Sequence, residues 1–382
     1  MNHIPESLYE RRDSLVGLSN SLLKHYGVTP FHPTCEAVDK ILEGHRKICV
    51  FLFDGAGKYN LSLYPTENAF LLSHAFHTIQ STNPSTTVAA TTAFLTAKWP
   101  CETGWLGWSL YMEKLGYPVD VFPNVNSLSG AALPFKGQSY MEEYCPKVTI
   151  DSLLQEAGVK AKLSFVAPIG GASAPKNIEE MGEQATHFFQ KEAGEFLYSY
   201  STLPDQDLHH YGVKSEFAAK DYCEMNRMVR RFTEENPDVL VLTMADHGLI
   251  DVVYQDLATY PKLVSCLYRP LSIEGRNVAL WVKEEKRDFF AKEFVKSFPD
   301  FLLLNRQEVL KNGYFGEGKP SPHFEEFIGD FQALALGNSV LVNSFDAPID
   351  HVLKAHHAGG TKEEREISLG LFLPKNALFQ VM

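Results

Sequence analysis

The residues best equipped for chemistry in this sequence are acids and imidazoles at the ends of apolar runs. VLVLTMADHGLID, residues 239–251, stops on Asp246 and His247; ICVFLF, 48–53, stops on Asp54 in FDGAG; EFLYSYS, 195–201, passes through TLP to Asp205 in PDQDLHHYG. A single Asp before Gly is ordinary turn chemistry. Three such endings mean more, because the carboxyl ends of parallel strands line one crevice and gather residues that lie far apart in the chain. Histidines crowd the same places: His209 and His210, His247, and later His356 and His357 in KAHHAGGTKEE, out of 14 in the chain. Asp205 and His209 stand four apart, so one helical turn puts both on one face. Mixed carboxylate and imidazole donors suit a divalent cation, zinc first and manganese or iron after it.

Such a site needs something to act on. In NPSTTVAATTAFLTAKWP, residues 83–100, a turn precedes a helix of small residues with Thr86 and Thr87 at its first turn. Free amides and the helix dipole make that turn an anion site, where a threonine hydroxyl could face phosphorus. The plainer reading is that Ser85 or Thr86 simply caps the helix.

The elements that must hold these residues alternate between strand-like and helix-like. Strands are expected at 48–53, 162–168, 195–201, 238–244, 278–283 and 367–373, and helices at 6–25, 66–79, 87–97, 176–193, 215–235 and 286–297. This is the signature of an α/β fold, a mostly parallel central sheet with helices on both faces. The chain reads as a single catalytic domain over residues 1–382, with a small α+β capping insertion at roughly 255–345 whose own elements include VALWVK and EEKRDFFAKEFVKSF.

Composition narrows the partners. A formal net charge of -12 argues against long nucleic acid, which needs clustered Lys and Arg, and leaves room for a small anion met by cations or helix ends. No run approaches the roughly 18 apolar residues of a membrane span, and the polar, amphipathic N-terminus lacks the pattern of a signal peptide. Six scattered cysteines without a CxxC pair suggest neither a disulfide scaffold nor a zinc ribbon, so a reducing cytoplasm is the expected home. FDGAGKYNL lacks both P-loop spacing and a full dinucleotide fingerprint, and there is no GxSxG elbow.

Taken in order, DG, a Thr at a helix N-terminus, PDxxxH, DHG and a late His followed by glycines resemble the alkaline phosphatase superfamily, in its nucleotide pyrophosphatase and type I phosphodiesterase branch, from about Ile48 to Leu373. The resemblance implies Thr87 as nucleophile, with Thr86 the neighbour it could be confused with. It implies two divalent ions, most simply zinc: Asp54, Thr87, Asp246 and His247 at one, Asp205, His209 and His357 at the other. His210 abuts His209 and His356 abuts His357, so each pair leaves an alternative. The implied chemistry is attack by a metal-activated Thr87, a phosphothreonine intermediate and its hydrolysis.

One departure stands out. Where the branch carries an Asn that holds a phosphoryl oxygen, this chain has Trp108 in GWLGWSLY, which can donate one hydrogen bond and accept none. The Thr87 amide or Lys58 would have to supply that contact, and the Trp105, Trp108 and Tyr111 cluster either stacks on substrate or packs in the core. Thr87 is followed by Val88, whereas the monoesterase branch uses Ser followed by Arg. The expected substrate is therefore a small phosphodiester or phosphoanhydride, a nucleotide among the candidates. The alternatives are a phosphomonoesterase, a phosphotransferase or mutase on the same scaffold, and a catalytically silent metal-binding relative.

Overall fold

The computed structural model describes residues 6–135, 137, 139–346 and 352–375. Its central sheet has six strands in the order Ala75–Gln80, Glu366–Phe372, Leu240–Met244, Ile48–Phe53, Phe196–Ser201 and Ala161–Phe165. The last four are mutually parallel, and Glu366–Phe372 runs antiparallel to both of its neighbours, so five of the six strands point the same way. The middle strands are largely apolar and buried along their whole length, as a sheet covered on both faces requires. Register aligns their ends: Phe53 lies opposite Ser201, and Leu52 opposite Met244. Asp54, Asp205 and Asp246 follow these ends, so all three emerge at one edge.

The covering helices start where the sequence supplies caps. Ser215 Oγ accepts from Ala218 N at 3.2 Å to open Glu216–Glu235, and Asn177 Oδ1 accepts from Glu180 N at 2.9 Å to open Ile178–Lys191. Both bury one apolar face, Met225, Val229 and Phe232 on the first and Phe188 and Phe189 on the second, in the same core as the central strands.

Two expected helices are interrupted. Residues 6–25 form a short 3-10 turn, Glu6–Tyr9, and then a helix Leu15–His25 whose N-cap Ser14 accepts from Gly17 N at 3.0 Å. Residues 66–79 form a brief helix, Ala69–Ser73, followed by the edge strand Ala75–Gln80. The strand expected at 278–283 covers Asn277–Leu280.

A second sheet of seven antiparallel strands packs over its own core. Its order is Phe301–Asn305, Phe331–Ala335, Asn277–Leu280, Ser272–Glu274, Ser109–Met112, Tyr117–Asp120 and Val125–Asn126. It thus joins residues of the 255–345 stretch to three strands from between 109 and 126. One strand pair matters for the site: Ala355–His356 pairs with Ile250–Asp251, so the late histidines are carried back beside Asp246 and His247.

Candidate metal centre and active site

Each acid is set by its backbone as well as by its strand. Asp54 N bonds to Ser201 O at 3.0 Å, and Asp205 N bonds to Asp54 O at 3.0 Å, which stitches the two loops together. Gly55 sits at φ +72°, and a Cβ there would stand 2.9 Å from Asp205 Cα; only a glycine lets the Asp54 turn approach so closely. Asp246 Oδ1 accepts from Gly55 N at 3.2 Å and from His247 N at 3.1 Å.

The side chains form two adjoining groups. In one, Asp54, Asp246 and His247 are all buried, with His247 Nε2 3.3 Å from Asp54 Oδ1 and 3.5 Å from Asp246 Oδ2. In the other, His209 Nε2 lies 3.4 Å from Asp205 Oδ2, and buried His357 completes the trio. Within each group the candidate donor atoms lie within 4.8 Å of one another. The His247 and His357 rings, 4.0 Å apart at their centroids, connect the two.

The ambiguous pairs separate geometrically. His209 Nδ1 is fixed to Ala355 O at 2.7 Å, which aims Nε2 at Asp205, whereas His210 is exposed and turned onto Gln206 O of its own helix, also at 2.7 Å. His357 belongs to the Asp205 group; His356 instead lines a cleft of about 960 Å³ shared with Trp108, Tyr254 and Glu274.

Thr87 opens the helix Thr87–Thr96 and is partly exposed. Its Oγ1 lies 3.1 Å from His247 Nε2 and 3.4 Å from each Asp54 carboxylate oxygen. Thr86 occupies the N-cap position, yet its hydroxyl makes no capping bond and donates instead to Glu274 Oε1 at 2.6 Å. Ser85 is also engaged elsewhere, donating to Gly359 O at 3.1 Å. The first turn of this helix therefore carries no side-chain cap and can receive an anion.

Electrostatics leaves these groups short of positive charge. Burial, then the charges of Asp246 and Asp205, push the Asp54 carboxyl well above the ordinary carboxylate range. Burial, then Asp246 and Glu274, do the same to Asp205. Burial pushes His209 down to about 4 and depresses His247, and it holds His357 well below its ordinary value with neighbouring imidazoles adding to the effect. Neutral imidazoles beside crowded carboxylates are what a divalent cation needs as ligands. Among the described residues, Asp205 Oδ1 and Asp246 Oδ2 are buried carboxylate oxygens without hydrogen-bond partners, a further sign of a donor set that could take ions.

Lys58 and Trp108 lie differently from one another. The Lys58 ammonium pairs with Glu366 Oε2 at 3.2 Å, with its side chain about half exposed. Trp108 lines the cleft, 41% exposed, edge-on to Phe122, and its backbone N–H donates to Glu274 Oε1 at 2.8 Å. Trp105 is a core residue, its indole N–H donating to Cys145 O at 3.0 Å, and Tyr111 is buried against Trp281. Of that aromatic cluster, Trp108 alone faces the cleft.

Two further residues went unread in the sequence. Tyr200 donates its hydroxyl to Asp54 Oδ2, and its place in the alternating YSYS strand gave no sign of that. Glu274 holds both Thr86 and Trp108, and burial pushes its carboxyl up to about 7. Nothing local in SIEGR distinguishes it from a surface acid.

Comparison with known proteins identifies the family. The sequence profile described as type I phosphodiesterase / nucleotide pyrophosphatase matches residues 48–358. No curated protein matches the chain. Among solved structures, it is similar to human ectonucleotide pyrophosphatase/phosphodiesterase 5, at 16% identity and a TM-score of 0.62 over 86% of this chain and 88% of that one. The murine counterpart is 14% identical over the same shares, with a TM-score of 0.61, and has also been solved as an inactive Thr-to-Ala variant with AMP. Phosphonoacetate hydrolase from Sinorhizobium meliloti 1021, in complex with phosphonoformate, is 15% identical, with a TM-score of 0.62 over 86% of this chain and 90% of that one. With the profile covering most of its length, the chain belongs to the type I phosphodiesterase / nucleotide pyrophosphatase family, on the fold of the alkaline phosphatase superfamily.

Proposed function

We propose that the protein is a two-metal hydrolase of phosphodiester or phosphoanhydride bonds in small substrates, with Thr87 as its nucleophile. The observation that carries this reading is the position of Thr87 Oγ1, at an uncapped helix N-terminus and within 3.4 Å of both Asp54 oxygens and His247 Nε2. Asp54, Thr87, Asp246 and His247 would hold one ion, and Asp205, His209 and His357 the other; zinc suits their donor types best. Bound ions supply the charge that turns a threonine hydroxyl into a nucleophile at neutral pH and offsets charge on the departing oxygen.

The chain's own groups do the rest. The first-turn amides of Thr87–Thr96 receive the non-bridging phosphoryl oxygens, and the Thr87 Oγ1–phosphorus bond forms as the bond to the leaving group breaks, the hydroxyl proton leaving to solvent and the departing oxygen taking one up. Hydrolysis of the phosphothreonyl ester then returns the free hydroxyl. Tyr200 steadies the Asp54 carboxylate, and Glu274 fixes Thr86 next to the nucleophile. Trp108 offers a face at the cleft for the substrate's organic group. The AMP complex of the murine neighbour supports a nucleotide-like substrate.

A second reading, phosphonate cleavage, is favoured by the likeness to phosphonoacetate hydrolase. The test is p-nitrophenol release by zinc-loaded protein from bis(p-nitrophenyl) phosphate and from p-nitrophenyl phosphate, alongside phosphate release from phosphonoacetate. Fastest turnover of the diester supports the proposal. Fastest turnover of the monoester or the phosphonate moves the protein to that class, and failure of all three overturns the hydrolase reading.

A further inference from the structure

A third group of side chains that could hold a metal ion lies among the N-terminal elements. Asp13 precedes the helix Leu15–His25, Cys35 is the N-cap of the helix Glu36–Leu42, and His77 stands on the edge strand Ala75–Gln80. Their donor atoms lie within 4.8 Å of one another. Cys35 Sγ donates to Asp13 Oδ1 at 3.2 Å, and His77 Nε2 lies 2.8 Å from that same oxygen. We propose that Asp13, Cys35 and His77 form a separate binding site for a zinc-like divalent cation that staples the N-terminal helix to the sheet edge.

Three features support it. The donor set is the first: thiolate, imidazole and carboxylate together are what zinc takes. Spacing is the second. With metal–nitrogen and metal–sulfur bonds of about 2.0 and 2.3 Å, tetrahedral ligands sit roughly 3.3–3.6 Å apart, so the present contacts need to open by only a few tenths of an ångström. Rigidity is the third. Gln80 N bonds to Asp13 O at 2.8 Å, and Cys35 N bonds to Ser21 Oγ at 3.0 Å, so each segment is pinned before any ion arrives. Gly17 adds to this, since a Cβ there would meet Arg12 O at 1.9 Å and open the turn that bears Asp13.

Exposure fits an open site. Cys35 is fully buried, whereas the Asp13 and His77 side chains are 45% and 30% exposed, which leaves a face where water completes the coordination. Uptake expels the Cys35 thiol proton to solvent and requires His77 as the tautomer protonated on Nδ1, freeing Nε2 to bind. Neither proposed catalytic group contains a thiol, so this site has a spectroscopic signature that they lack.

Cobalt(II) titration of the chelator-treated full chain reads that signature, since a cobalt–thiolate bond gives a near-ultraviolet charge-transfer band. Cys223 is the exposed cysteine, and the titrations use Cys223→Ser as background. We expect the saturated band to correspond to one cobalt–thiolate centre per chain, Cys35→Ser to abolish it and lower the cobalt bound at saturation by one, and His77→Ala to weaken its midpoint by about tenfold or more. His77 is partly exposed, so its replacement serves if Cys35→Ser fails to fold. Cobalt uptake without the band, or with a midpoint unchanged by His77→Ala, overturns the proposal. So does an undiminished cobalt count in folded Cys35→Ser. The outcome is independent of the catalytic reading.

Discussion

Glu364 is fully buried, and its carboxylate ties the loop bearing His357 to the buried Arg276. It accepts from Arg276 at 2.7 and 2.8 Å in a two-pronged pair, from Gly359 N at 2.7 Å and from Thr361 Oγ1 at 2.7 Å. Arg276 is equally buried and spends its other donors on Ser339 O and Gly337 O, each at 2.8 Å. Glu364→Ala leaves that guanidinium in the interior without its counter-charge, which costs about 3–5 kcal/mol. At roughly 2 °C per kcal/mol for a large domain, the unfolding midpoint should fall by about 6–10 °C. Because Gly359 and Thr361 are released two and four residues from His357, the Asp205 group should also lose affinity for metal. Differential scanning calorimetry with metal counting on the folded variant measures both effects. A loss below about 1 kcal/mol, the worth of a surface pair, with unchanged metal content would refute this account of the loop.

Other perturbations follow from the same geometry. Tyr200→Phe removes the donor to Asp54 and should cost about 1–3 kcal/mol while weakening metal binding, as read by denaturation and chelator competition. Gly55→Ala places a Cβ 2.7 Å from Leu249 Cδ1 and 2.9 Å from Asp205 Cα at a φ of +72°, so it should destabilise by on the order of 1–3 kcal/mol and cut turnover; a neutral result would mean that the turn relaxes freely. Asp221, buried on the helix Glu216–Glu235, has its carboxyl pushed up to about 7 by burial and then by Asp207 and Glu224. The native state therefore holds a proton that the unfolded chain gives up near pH 4, and this residue's contribution to stability falls as pH rises from about 4 to 7. Asp221→Asn should raise stability at pH 8 by at most about 4 kcal/mol and change little at pH 4, in parallel urea titrations; equal effects at both pH values would contradict the assignment.

How much of this was legible depended on how local each signal was. The strands at 48–53 and 240–244 announce themselves because burial on both faces demands unbroken apolar runs, and the acids after them stand out against that background. Parallel register then converts chain order into a site. AFLLSHAFHTIQ, 69–80, was less readable: apolar residues at mixed spacing fit a helix, and the edge strand exists because Glu366–Phe372, almost 300 residues later, pairs with it. The second sheet was largely hidden for the same reason, since the four-residue strand Ser109–Met112 meets Ser272–Glu274 only in three dimensions. Glu274 and Tyr200 carry no local mark at all. Their roles arise from what folding places beside Thr86 and Asp54.

In the proposed mechanism Thr87 makes the bond to phosphorus while the Asp and His groups hold the metal. Thr87→Ala tests it most directly, by turnover of bis(p-nitrophenyl) phosphate measured together with bound metal on the same zinc-loaded sample. Turnover should be lost while most of the metal stays. Turnover at the wild-type rate, with metal in place, would contradict that mechanism.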